Sequence, residues 1–164
     1  MARVDALDIY NSHLYRNEAR KNQIYTYYPD VNGNFVVRNL NTANSDIEAD
    51  YAWVYFSVSV PDYFGNNSIY IGGMFNNYSK SDEYKMEFNE TKNVYEKALL
   101  IKQGFTNFNY TMIDSKGNVD YKNAVDGNFF QTENNYDIIV YYRENGERYD
   151  RVIGRGKANS EVIT

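Results

Sequence analysis

The chain has 164 residues, the span of one domain or of one domain with an appendage. It contains no Cys and a single His, His13, which excludes thiol nucleophiles, Cys-bound zinc, iron–sulfur clusters and any site needing two imidazoles. Seventeen Lys and Arg against 22 Asp and Glu leave a net charge of −5, which opposes sequence-independent attraction to nucleic-acid phosphates.

Eighteen Tyr, 9 Phe and 1 Trp dominate the apolar fraction, while Pro numbers 2. Such a mixture suits pleated, half-buried surfaces, and abundant Asn suits turns that need left-handed residues or side-chain to backbone hydrogen bonds. No apolar run approaches the ~20 residues that a helical bilayer crossing demands. Met1-Ala2 leads straight into polar sequence without a basic and then apolar leader, so the reading expects a fragment whose natural start and export signal were left out.

In chain order, residues 1–21 carry Leu7, Tyr10 and Leu14 at helical spacing after a candidate cap at Asp5, and read equally as a short helix or as an irregular lead-in. A β-hairpin is expected over 23–38, with strands at Gln23–Tyr28 and Asn34–Arg38 around an Asn32-Gly33 turn. Residues 39–48 read as a linker. From Asp50 the pattern sharpens: Ala52, Val54, Phe56, Val58 and Val60 alternate with Tyr51, Trp53, Tyr55, Ser57 and Ser59, which predicts a long strand ended by Pro61-Asp62.

Further strands are expected at Ser68–Ile71, Tyr84–Phe88, Val94–Ile101 and Phe105–Ile113. A last pair, Tyr136–Arg143 and Arg148–Gly154, flanks an Asn145-Gly146 turn. Eight or more short strands separated by turn signals predict an all-β, antiparallel sandwich with an additional N-terminal hairpin. Its expected division is a lead-in, hairpin and linker over 1–48 and a sandwich over 49–164.

The acids are scattered among turns, which is the distribution of solvated surface groups rather than of a buried acid–base pair. Asp30-Val31-Asn32-Gly33 opens like a calcium loop but lacks a Glu at the twelfth place. Gly154-Arg155-Gly156-Lys157 lacks the GxxxxGK[ST] spacing of a phosphate loop. Neither a metal nor a cofactor is expected. The constellation with functional weight is the row Tyr51, Trp53 and Tyr55, because rigid rings on an open sheet stack on sugars or anchor a protein partner. Burial of the row beneath the 23–38 hairpin would instead make it structural. Arg143, Arg148, Asp150, Arg151 and Glu133 are expected to form cross-strand ion pairs.

Two resemblances follow. The run Ile69-Tyr70-Ile71-Gly72-Gly73-Met74-Phe75-Asn76-Asn77-Tyr78, followed by Tyr84-Lys85-Met86 and Gly104-Phe105-Thr106-Asn107-Phe108-Asn109-Tyr110, resembles the early-set immunoglobulin-like modules that bind glycogen and starch, with Tyr78 where those carry Trp. That resemblance implies an immunoglobulin-like sandwich and glucan as a ligand of exposed aromatics, Tyr78 among them.

Over nearly the whole chain, Asp50-Tyr51-Ala52-Trp53-Val54-Tyr55-Phe56, Leu99-Leu100-Ile101-Lys102-Gln103-Gly104, Thr132-Glu133-Asn134-Asn135-Tyr136 and Arg148-Tyr149-Asp150-Arg151-Val152-Ile153-Gly154 resemble the C-terminal domain of the type IX secretion system plug protein family, formerly a domain of unknown function. This implies a periplasmic, non-enzymatic module that docks on the outer-membrane translocon. Tyr51, Trp53, Tyr55 and Tyr78 are the candidate partner- or sugar-binding residues. A glycan hydrolase would instead need two facing acids in a cleft.

Overall fold

The structure, a computed structural model, describes residues 3–6, 9–28, 30–39, 41–60 and 66–160, and for 3–6 the strand alone. The expected strand end at Pro61-Asp62, together with Leu7 and Pro29, lies outside the described residues. The chain is all-β apart from short helical turns, and it forms two compact units, Met1–Asn128 and Phe129–Thr164.

In the first unit the elements are β1 (Arg3–Ala6), β2 (Tyr10–His13), β3 (Asn17–Glu18), β4 (Phe35–Val37), the one-turn helix α1 (Ser45–Glu48), β5 (Tyr51–Ser59), β6 (Ser68–Gly73), β7 (Glu87–Asn89), β8 (Val94–Lys102), β9 (Gly104–Thr106) and β10 (Phe108–Ile113). One sheet runs β1-β2-β5-β8-β7, with β3 also on β5, while β6 pairs with β10 and β4 with β9.

The alternation in β5 decides the layering. Phe56 and Val58 turn inward with Leu99 and Ile101 of β8 and meet Ile69 and Ile71 of β6 and Tyr110 and Met112 of β10. Val58 and Ile71 are wholly buried. The result is a two-layer sandwich whose core lies between the β5–β8 sheet and the β6–β10 pair.

Three expectations are corrected. The sheet is mixed rather than antiparallel: β2 and β3 lie parallel to β5, with Tyr10 opposite Ala52 and Asn17 opposite Val58. The helical spacing of the lead-in gave way because these residues close the open side of β5, a gain that outweighs weak local propensity. Second, the 23–38 hairpin does not form. Its turn is present, with Asn32 and Gly33 both at positive φ (51° and 73°), but β4 pairs with β9, and Ile24, Tyr27 and Tyr28 are exposed without strand partners.

Asn107 explains the diversion. Its Oδ1 accepts the backbone N–H groups of Val31 and Gly33, each at 3.1 Å, and so binds the turn to the β9–β10 junction. Gly104 admits β4, since a Cβ there would overlap the carbonyl oxygen of Val36. Third, the division falls after Asn128 and not after residue 48, because β2 and β3 are built into the same sheet as β5.

The second unit is an antiparallel hairpin of β11 (Asn135–Tyr142) and β12 (Arg151–Asn159). The second strand starts later than the expected Arg148, and the register shifts between Val140 and Tyr141. On one side Tyr136, Ile138 and Val140 stand opposite Ala158, Gly156 and Gly154, while on the other Asp137 binds Arg155 at 2.9 Å. Of the residues expected to form ion pairs, Arg143 meets Asp150 at 2.8 Å, while Arg151 pairs with residues outside that set, Glu147 at 3.1 Å and Glu144 at 3.3 Å. Glu133 instead accepts from Asn159 at 3.4 Å.

Candidate binding face

The face of the β2-β5-β8-β7 sheet turned away from the core is a grid fixed by register. Residues directly opposite one another in a sheet share a face, so Tyr51 stands beside Lys102, and Trp53 lies between Asn11 and Leu100. Next come Tyr55 between His13 and Ala98, and then the row Ser57, Glu96 and Glu87. The face thus grades from an aromatic end at Tyr51 and Trp53 to an acidic end at Glu96 and Glu87.

The 23–38 hairpin expected to cover the aromatic row does not form. Tyr51 is 51% exposed, and Trp53 and Tyr55 are each 38% exposed. Of the three rings Tyr55 is held in place: His13 lies nearly parallel on it, centroids 4.3 Å apart at 13°, and the Tyr55 hydroxyl donates to Asn11 Oδ1 at 3.1 Å. Both partners come from β2, so the lead-in presets Tyr55. Preset aromatics lose little freedom on binding, which favours an interface role.

At the acidic end small Ala98 and Ser57 form a floor, and an open cleft of about 740 Å³ is bounded by His13, Tyr55, Glu87, Phe88 and Glu96. Glu96 accepts from Lys92 Nζ and from Asn89 Nδ2, both at 2.8 Å. The Lys92 bond holds its carboxyl below the usual range, against the opposing effect of burial, and Asn89 adds to the lowering. Sequence reasoning missed Glu87, Glu96 and His13. The signal for the two acids was present in the four-residue connection Glu90-Thr91-Lys92-Asn93, which sets Glu87 opposite Glu96 once Asn89 pairs with Val94.

Tyr78 does not join the row. It follows the 3₁₀ turn Met74–Asn76 at φ 54°, donates its hydroxyl to the Gly33 carbonyl at 3.4 Å and donates its own N–H to Asn76 Oδ1 at 3.1 Å. Its contacts clamp the Asn32-Gly33 turn to the end of β6.

Fold and face together define an all-β sandwich with an ordered, solvent-facing aromatic surface. No protein-family model and no curated protein matches the chain. Among solved structures it is similar to a hypothetical protein from Parabacteroides merdae ATCC 43184, known from a 2.30 Å crystal structure, with a TM-score of 0.80 and 34% identity over 97% of this chain. The match occupies 40% of that protein, so the chain spans about two fifths of its length.

Proposed function

We propose that the chain is a non-enzymatic docking module, the C-terminal part of a periplasmic plug protein that seats on the outer-membrane translocon of type IX secretion. The observation that carries the docking reading is the uncovered row Tyr51, Trp53 and Tyr55, whose Tyr55 is fixed by the neighbouring β2. The specific partner, the periplasmic location and the early-set immunoglobulin-like subtype rest on the sequence motifs. A general-acid role is disfavoured at Glu96, because a general acid needs a raised pKa and Lys92 shifts Glu96 downward.

Affinity capture of the full-length protein from envelope extracts tests the reading. Translocon recovered with the wild type and lost with Trp53→Ala supports it, and a protein recovered only as a free cytoplasmic species overturns it. A second reading, glucan binding, is favoured by the open cleft beside Tyr55. It requires that maltooligosaccharides produce a saturable change in the emission of Trp53, the single Trp of the chain, absent in Trp53→Phe compared at an external label.

A further inference from the structure

The strand β7 is short. It covers β8 at Val94–Glu96, after which its chain crosses to the other layer, where Lys85 bridges Tyr70 and the Met86 N–H bonds the Ile69 carbonyl at 2.8 Å. Among the described residues, the side of β8 beyond Glu96 is therefore left without a neighbouring strand.

Hydrogen-bond parity shows which groups face that gap. The Gln103 N–H reaches the Asp50 carbonyl at 2.8 Å, on the β5 side. Along an antiparallel strand successive residues address alternate neighbours, so Leu99 and Ile101 bond β5, while Ala98 and Leu100 turn N–H and C=O toward the gap. Among the described residues none takes up these groups.

A groove of about 290 Å³ runs beside them, walled by Trp53, Phe75, Glu83 and Tyr84 and lined by every residue from Lys97 to Ile101. Side chains of a strand alternate between faces, so an unbroken run of five lining residues marks a groove along the backbone edge and not on one face. Exposed edges are ordinarily blunted by charge, Pro or a bulge. Ala98-Leu99-Leu100-Ile101 carries none of these.

We propose that this edge of β8 is a docking site for an extended segment of a protein partner, which adds as a strand alongside Ala98 and Leu100 and continues the ladder that β7 begins. The unpaired groups recur every second residue, about 6.8 Å apart, a repeat that another extended backbone matches. Glu83 and Lys97 bring opposite charges to the groove, so it accepts an uncharged segment, with apolar side chains alternating toward Trp53 and Leu100 on one side and Phe75 and Tyr84 on the other. The inference rests on the docking reading for the identity of its partner, but its test needs the chain alone and so fails or succeeds separately from translocon capture.

The probe is an acetylated, amidated Val-Thr-Val-Thr-Val peptide, with its backbone N-methylated counterpart as control. Hydrogen exchange of the Ala98 and Leu100 amides is read by NMR on the full chain. The expected result is slowing by about tenfold or more at those two amides, no change at Leu99 and Ile101, no effect of the N-methylated peptide, and loss of the effect in Ala98→Pro, whose N–H lies outside the β5 ladder. Unchanged exchange at millimolar peptide, or slowing confined to β11 and β12, overturns the proposal. Should Ala98→Pro not fold, the N-methylated probe makes the same distinction from the other side of the ladder.

Discussion

The Asp126 carboxylate accepts the backbone N–H of Tyr110 at 2.7 Å, and the Tyr110 hydroxyl donates to Asn17 at 3.2 Å. One chain of bonds thus ties β10 to β3 and to the segment after Val125. Burial raises the Asp126 carboxyl to about 6 from 3.8, opposed by the Tyr110 N–H and by the charge of Arg20.

A pH dependence follows from that shift. The unfolded chain releases this proton at lower pH than the folded one, so the stabilisation is complete below pH 3.8, falls as pH rises and is lost above about pH 6. Asp126→Asn keeps an acceptor for Tyr110 without a charge to bury. Its melting temperature should exceed that of the wild type by several degrees at pH 8, at roughly 2–4 °C per kcal/mol for a chain of this size. The advantage should vanish by pH 4, and thermal unfolding across the pH range checks both limits.

Gly104 opens β9 against β4, and any Cβ there meets backbone rather than a movable side-chain tip. Gly104→Ala should cost about 1–3 kcal/mol or more by overpacking, measured by denaturant unfolding. A wild-type midpoint would contradict the β4–β9 pairing.

Asn107 holds the turn that replaced the expected hairpin. Replacing it by Ala leaves the Val31 and Gly33 amides without their acceptor, at a cost of about 1–3 kcal/mol where water cannot substitute. Faster exchange at those two amides, with the β5–β8 ladder unchanged, is the expected NMR result.

The Arg143–Asp150 pair lies on an exposed hairpin, with half of each side chain in solvent. Solvent screening limits such a pair to about 0–1 kcal/mol. Asp150→Asn should therefore change the melting temperature no more than an ordinary surface substitution, and the small remaining effect should fade as salt is raised.

The strands were legible where side-chain alternation was strong. β5 carries nine alternating residues, and β6, β8 and β10 stand within a few residues of their expected bounds. Pairing was harder to read, because the Asn32-Gly33 turn specifies a reversal without naming its partner. The amide of Asn107, more than seventy residues away, selects β9 for β4. Likewise Tyr10, Ser12 and Leu14 gain their places from a neighbour forty residues on, which no local period encodes. Of the four candidate aromatics, three share a face because i, i+2 spacing in one strand guarantees it. Tyr78 was picked by motif alone and takes a turn-clamping position.

The parallel seam that β2 and β3 make with β5 gives the opening residues of the chain the part of a hem. Without residues 1–21, the richest aromatic strand of the molecule would present a bare margin of unpaired amides, long and uncharged over Tyr51–Ser59. A polypeptide started at Asn22 should then stack margin to margin with its own copies and leave solution, even though it retains the buried core residues of β5, β6, β8 and β10.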